Sequence, residues 1–299
     1  MGLSTAIDTK FSFKKVFSDY KQLAKVGLSL SVVFSSIAGY LLAIDVINYQ
    51  VLFLLGLGGF LMVAASNAFN QIIEKDTDAL MKRTMNRPLP TGRMSKTTAL
   101  VFAILFAIVG LGILYSINPK SALFGAISIF LYTCAYTPMK PISPLAVFVG
   151  ALPGAIPFML GWVAATNEFG IEAGFLFMIQ FFWQFPHFWA IGWMLDDDYK
   201  KAGFKMLPTG KKDKSTALQT ILYTFWMILA SIFPVTGLTG SLSLSVGAAV
   251  IVGLLGLVML YYALNLYQTL SSQSAKKLML ASVVYITLIQ IVYVIDKFI

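Results

Sequence analysis

Six of the thirteen acidic residues lie in two short segments, each at the end of a long apolar run. The six residues are Glu74, Asp76 and Asp78, then Asp196, Asp197 and Asp198. Ionised groups close to a membrane interior are costly unless they are paired or bound to a cation. Two acidic segments at one membrane face would suit a shared divalent-metal site.

The first acidic segment has helical spacing. Asn70, Glu74 and Asp78 are four residues apart and would form one polar stripe, with Asn67 one turn earlier on the same side. Mg²⁺ typically takes one or two carboxylates and keeps phosphate and water oxygens. The alternative is a solvated helix end with local pairs such as Asp78 to Lys82.

Basic residues follow the stripe. Arg83 and Arg87 are again four residues apart, and guanidinium groups can hold diphosphate oxygens bidentately. Pro88 and Pro90 are expected to end the helix and begin a loop.

The second acidic segment cannot place three consecutive acids on one helical face. We therefore expect one or two of them to reach a metal and favour Asp198 as the ligand. Asp196 is more simply explained as a charge balance for Lys200 and Lys201.

His187 is the only histidine and lies in an apolar run beside Pro186, among the aromatic residues Trp183, Phe188 and Trp189. An ionisable residue inside a membrane span is a functional candidate. The alternative is an imidazole that hydrogen-bonds a carbonyl within the bundle.

The elements that must position these residues follow from composition. With 58% apolar and 12% charged residues, the chain is predicted to be a polytopic membrane protein with one domain, 1–299. Spanning segments satisfy their own backbone hydrogen bonds, so we expect an all-α bundle of about nine helices. The predicted spans are 24–44, 50–72, 97–117, 120–137, 142–165, 172–194, 216–236, 243–266 and 277–296.

Lysine and arginine set the orientation. With a cytoplasmic N-terminus, twenty of the twenty-two basic residues face the cytoplasm, and only Lys120 and Lys297 do not. Residues 1–23 are then a cytoplasmic segment, in which 11–20 could lie on the membrane as an amphipathic helix. The net charge of +9 is a topology signal and gives no evidence for nucleic acid binding. Cys134 has no partner for a disulfide.

Together these segments resemble the intramembrane prenyltransferases of the UbiA type, and within them the branch that prenylates haem. The resemblance covers essentially the whole chain, and its combination of motifs is far more specific than any one of them. Its marks are Asn70 to Arg93, Tyr136 to Lys140, Gly150 to Gly161, Trp183 to Phe188, and Asp198 to Pro208. Glu74 replaces the middle Asp of the wider family's first motif, as in the haem branch. Met194 stands where the second motif has its first Asp, so the number of Mg²⁺ ions stays open.

The resemblance implies a farnesyl transfer from farnesyl diphosphate to a vinyl group of protohaem IX, with Mg²⁺ as cofactor. It implies Asn70, Glu74, Asp78 and Asp198 as catalytic metal ligands. It implies substrate-binding roles for Arg83, Arg87 and Lys140 at the diphosphate, and for Asn67, Trp183, His187 and Tyr199. His187 would contact the haem iron or a propionate.

The same resemblance implies an inner (plasma) membrane location with cytoplasmic active-site loops. It also implies contacts with membrane lipid and with haem A synthase or a terminal-oxidase assembly partner. Three alternatives remain open: a prenyltransferase for a quinone or chlorophyll precursor, a membrane transporter, and a noncatalytic haem-handling protein.

Overall fold

The computed structural model describes residues 13–299, and this part of the chain is helical with no strand. The predicted all-α class is therefore confirmed, while residues 1–12 of the predicted N-terminal segment lie outside the described residues. The helices are α1 Phe13–Leu23, α2 Val26–Leu42, α3 Tyr49–Ile73, α4 Lys75–Asp78, α5 Lys96–Ile117, α6 Pro119–Phe130, α7 Thr137–Met139, α8 Ala146–Thr166, α9 Ile171–Met194, α10 Asp196–Lys201, α11 Lys214–Ile232, α12 Val246–Thr269 and α13 Ser272–Phe298.

Between residues 13 and 299, seven helices or joined helices are by themselves long and apolar enough to cross a membrane. An eighth would be formed by α1 and α2 together, which meet at 47°. The predicted span 172–194 coincides with α9, a helix of 24 residues that is not among those seven. The chain is thus a multi-pass membrane protein, and the count of nine spans stays a prediction.

Small residues bring α2 and α8 together. A Cβ added at Gly39 would overlap the backbone of Phe158, and one at Gly161 would overlap the backbone of Ser36. Glycine at both positions lets the two backbones meet directly, which is a common way to pack helices in lipid. Because α8 also packs on α9, it is the most buried of the candidate spans and forms the centre of the bundle.

A π-helical turn, Leu131–Tyr136, joins α6 to α7. Such turns are frequent at functional sites because they rotate the residues that follow them. Here the turn ends at Tyr136, four residues before Lys140, and it leads to the end of the bundle where α3 and α9 also end.

Candidate active site

Lys140 joins the two acidic segments of the sequence at one end of the bundle. Its Nζ lies 2.6 Å from Glu74 Oε1, in the loop after α3. Its carbonyl accepts a hydrogen bond from the backbone N–H of Lys205 at 2.8 Å, and its ammonium lies 5.5 Å from the centre of the Phe204 ring. Phe204 and Lys205 follow α10, so the loops that carry the first and second acidic segments meet at Lys140.

The predicted stripe is present but buried. Asn70 is in the last turn of α3, and Glu74 is the residue that caps the C-terminus of that helix. Asp78 is the last residue of α4, and its backbone N–H donates to the Glu74 carbonyl at 2.7 Å. The Asn70 amide donates to Thr137 Oγ1 at 3.2 Å. All three stripe residues are buried, and Asp78 is 0% exposed. The alternative of a solvated helix end is therefore wrong.

Asp78 pairs with Arg87 and not with Lys82. Arg87 Nη1 lies 2.6 Å from Asp78 Oδ2, while Lys82 is exposed. Burial raises the pKa of the Asp78 carboxyl, and the Arg87 guanidinium opposes that shift. Within residues 13–299, the second oxygen, Asp78 Oδ1, is buried without a hydrogen-bond partner. An orphaned carboxylate oxygen beside an amide and a second carboxylate has the chemistry of a hard-cation site.

The second acidic segment is organised by local pairs. Asp196 accepts a hydrogen bond from Lys200 at 2.8 Å and lies 3.8 Å from Lys212, which confirms charge balance for Asp196. Asp198 lies 3.9 Å from Lys201. Among residues 13–299, no three Asp, Glu, His or Cys side chains are close enough to hold a metal ion, so Asp198 does not complete a cluster with Glu74 and Asp78.

The remaining predicted residues divide between the site and its supports. Arg83 is exposed, five residues after Asp78. The Tyr199 ring lies 6.0 Å from the Phe204 ring, beside Lys140. Asn67 turns away from the stripe.

The Asn67 amide donates to the Ala24 carbonyl at 3.5 Å, at the break between α1 and α2. Sequence reasoning named Tyr136 only as part of a family motif and gave it no role in the site, although its ring lies 4.5 Å from Lys140 Nζ. The π turn that aims Tyr136 leaves no simple signal in the sequence.

His187 and Trp183 form a separate polar group deeper in α9. The two rings stack with centres 4.6 Å apart and planes at 19°. His187 Nδ1 lies 2.8 Å from Ser282 Oγ, and Trp183 Nε1 donates to the Ser282 carbonyl at 2.7 Å. Both anchors are on α13. The alternative reading of His187 named a carbonyl as the partner of the imidazole, and the partner is instead a hydroxyl. Both rings are thus held by α13.

Residues 32–288 match the model of the UbiA prenyltransferase family, which is most of the chain. The chain belongs to the UbiA prenyltransferase family. It is 64% identical over 297 residues to a Flavobacterium psychrophilum protein named protoheme IX farnesyltransferase, covering 98% of this chain and 99% of that one. A Cytophaga hutchinsonii protein with the same name is 43% identical, covering 94% and 98%.

Solved structures show the same UbiA fold. A structure described as digeranylgeranylglyceryl phosphate synthase superposes with a TM-score of 0.79 at 17% identity, covering 95% of this chain and 99% of that one. A UbiA homologue from Archaeoglobus fulgidus, bound to DMAPP and Mg²⁺, superposes with a TM-score of 0.63 at 15% identity, covering 94% and 99%. This UbiA chain is therefore an intramembrane transferase of prenyl groups, and the transporter and noncatalytic alternatives are set aside.

Proposed function

We propose that this protein transfers a farnesyl group from farnesyl diphosphate to a vinyl group of protohaem IX. The allylic carbon–oxygen bond breaks with release of diphosphate, the vinyl group bonds to the farnesyl carbon, and water then adds to the resulting cation and loses a proton, which gives a hydroxyethylfarnesyl substituent. The family identifies a prenyl transfer, and relatives that carry the protoheme IX farnesyltransferase name match nearly the full length. The observation that carries the proposal is the buried stripe of Asn70, Glu74 and Asp78, closed by Lys140 and Arg87.

The stripe fits Mg²⁺ because Asp78 Oδ1 is buried and has no hydrogen-bond partner in the described part of the chain. We assign Asn70, Glu74 and Asp78 as ligands, and Asp198 as a ligand that must approach from the second acidic segment. Bound Mg²⁺ would neutralise charge on the departing diphosphate and so favour its ionisation. Burial of the carboxylates keeps their charge unscreened by water, which strengthens their hold on a cation.

Arg87 and Lys140 are bound to the two carboxylates that we assign to the cation. When the carboxylates bind a cation, both basic groups are released to donate to diphosphate oxygens. Arg83, exposed at the same mouth, supplies a third donor. These groups stabilise the leaving group as the allylic carbon–oxygen bond breaks, which is electrostatic stabilisation by preorganised donors.

His187 is proposed to bind the iron of protohaem. The Ser282 hydroxyl has one hydrogen, and it donates that hydrogen to the Met279 carbonyl at 2.6 Å. Ser282 Oγ must then accept from His187 Nδ1–H, which leaves the lone pair on Nε2. A neutral imidazole with one nitrogen held by a hydrogen bond and the other free is the usual form of a metal-binding histidine. The geometry therefore favours the iron over a propionate.

The basic residues favour a cytoplasmic mouth for the site, in the inner (plasma) membrane. Arg87, Lys140 and Lys200 share that end of the bundle, as the positive-inside rule expects of a cytoplasmic face. A product this apolar would pass through lipid or directly to a protein that uses it. Haem A synthase or a terminal-oxidase assembly factor is the partner class we propose.

The deciding experiment incubates membranes containing the protein with protohaem, farnesyl diphosphate and Mg²⁺, and identifies extracted haem by mass spectrometry. We expect a hydroxyethylfarnesyl haem that disappears with Asp78→Asn or with chelation of Mg²⁺. Asp45→Asn is the matched control. Asp45 is an exposed acid that pairs with Lys297, and it lies after α2 at the end of the bundle opposite to the site. Recovery of only unmodified haem from membranes that contain the folded protein would contradict the proposal that protohaem is the prenyl acceptor. Prenylation of a quinone or chlorophyll precursor by the same membranes would identify that precursor as the acceptor instead.

A further inference from the structure

A groove of about 330 Å³ runs between α12 and α13, away from the candidate active site. Its apolar walls include Leu255, Val258 and Met259 of α12, and Leu280, Ala281 and Val284 of α13. Spacings of three and four residues place each set on one face of its helix. Val258 and Val284 are exposed, so the α12–α13 groove opens outward, onto the surface that lipid would cover.

The groove lies within one leaflet of a membrane. It begins at the same end of the bundle as the candidate active site, because Lys214 starts α11 after the second acidic segment and its Nζ lies 5.9 Å from the centre of the Tyr267 ring, in the last turn of α12. Along α13 the groove extends from Lys277 to Tyr285, which is about 12 Å of helix. The hydrocarbon core of a bilayer is about 30 Å thick, so one leaflet contributes about 15 Å. The groove therefore has the depth for an acyl chain of the leaflet at this end.

A cation lines the groove at its polar end. Lys277 is exposed, and within residues 13–299 it has neither a hydrogen bond nor an ion pair. Residues 199–299 contain two acids, Asp213 and Asp296. Asp213 caps the N-terminus of α11, and Asp296 lies at the far end of α13. An apolar groove that ends at an unpaired lysine complements a lipid with an anionic headgroup.

Tyr262 adds a hydrogen-bond donor close to the depth of that lysine. It lines the groove seven residues before α12 ends, so it lies about 10 Å along the helix from the turn, and Lys277 lies about 8 Å from the start of α13. Its ring contacts Tyr261, and its hydroxyl has no hydrogen-bond partner in the described part of the chain. Tyrosine is enriched at this depth because its ring lies in hydrocarbon and its hydroxyl reaches the headgroup region.

We propose that the α12–α13 groove binds an anionic phospholipid from the leaflet at the basic end of the bundle. The phosphate is held by Lys277, an ester carbonyl accepts from the Tyr262 hydroxyl, and one acyl chain packs on Met259 and Ala281. The site is on the outer side of both helices and takes no part in the prenyl transfer. A lipid that binds only the folded chain also stabilises it, in proportion to its affinity and concentration.

The test is native mass spectrometry of the purified full chain in detergent, titrated with phosphatidylglycerol or with phosphatidylcholine that has the same acyl chains. We expect one phosphatidylglycerol to be retained in preference to phosphatidylcholine. Lys277→Gln should weaken phosphatidylglycerol binding about fivefold, the effect of one lysine at an anionic headgroup, and Lys277→Arg should keep most of the affinity. Lys276→Gln is the matched control, because Lys276 is also exposed but does not line the groove, and it should bind as the wild type does.

The apolar part of the groove has its own variants. Ala281→Phe fills the groove and should remove the bound phosphatidylglycerol, while its Tm without added lipid stays at the wild-type value because the new ring faces outward. Phosphatidylglycerol should raise the Tm of the wild type and leave that of Ala281→Phe unchanged. Val284→Trp fills the groove from an exposed position and should behave in the same way.

Equal affinity for the two lipids would overturn the inference, as would wild-type phosphatidylglycerol binding in both Lys277→Gln and Ala281→Phe. A wild-type dimer that carries no lipid in the groove and dissociates in Ala281→Phe would also overturn it, since a second copy of the chain would then be the occupant.

Discussion

The pair of Asp78 and Arg87 gives the sharpest test of the site, through Arg87→Met. The variant leaves a carboxylate that is 0% exposed. One of its oxygens has no hydrogen-bond partner among residues 13–299, and the other loses its bond of 2.6 Å. Removing one partner of a buried pair costs about 3–5 kcal/mol. Because the Arg87 side chain is 17% exposed, we expect the lower end, about 3 kcal/mol.

The assay is thermal unfolding of the purified protein in detergent. A loss of about 3 kcal/mol should lower the apparent Tm by roughly 5 °C or more. The double variant Asp78→Asn/Arg87→Met carries no buried charge at this position and should be more stable than Arg87→Met alone. Mg²⁺ should raise the Tm of Arg87→Met more than that of the wild type, since the cation then meets an unpaired carboxylate, and should have less effect on the double variant. Additive losses, or an equal Mg²⁺ response in both variants, would refute the reasoning.

Gly161→Ala should lower the apparent Tm because its Cβ overlaps the α2 backbone, whereas Gly112→Ala, with nothing within 4 Å of its Cβ, should leave it unchanged or slightly raised. Lys140→Met should raise the KM for farnesyl diphosphate about tenfold or more in a product assay, since a charged donor to the leaving group is lost, while Lys120→Met at the other end of the bundle should not. Ser282→Ala should weaken protohaem binding several-fold in an absorbance titration by releasing the imidazole, with pyrophosphate binding unchanged; equal losses of both ligands would argue for general unfolding.

Local sequence patterns determined the helices of this protein, the polar stripe at its site and its family. Apolar runs of about twenty residues identified the helices, because a backbone in lipid must satisfy its hydrogen bonds within its own segment. The spacing of Asn70, Glu74 and Asp78 placed them on one stripe, and the pair of Asp196 with Lys200 follows from the same helical geometry. The combined motifs identified the family, which the comparisons then showed.

Tertiary structure decided which charges meet. Asp78 had a local candidate four residues away in Lys82, yet it pairs with Arg87, because the loop folds back over the buried face of the stripe. Glu74 meets Lys140 across 66 residues, and His187 meets Ser282 across 95. Helical periodicity constrains only neighbours within a turn or two, whereas these contacts depend on how α3, α8, α9 and α13 pack. The sequence therefore determined the helices and the chemistry they carry, and only the packing decided that Lys140 joins the two acidic segments.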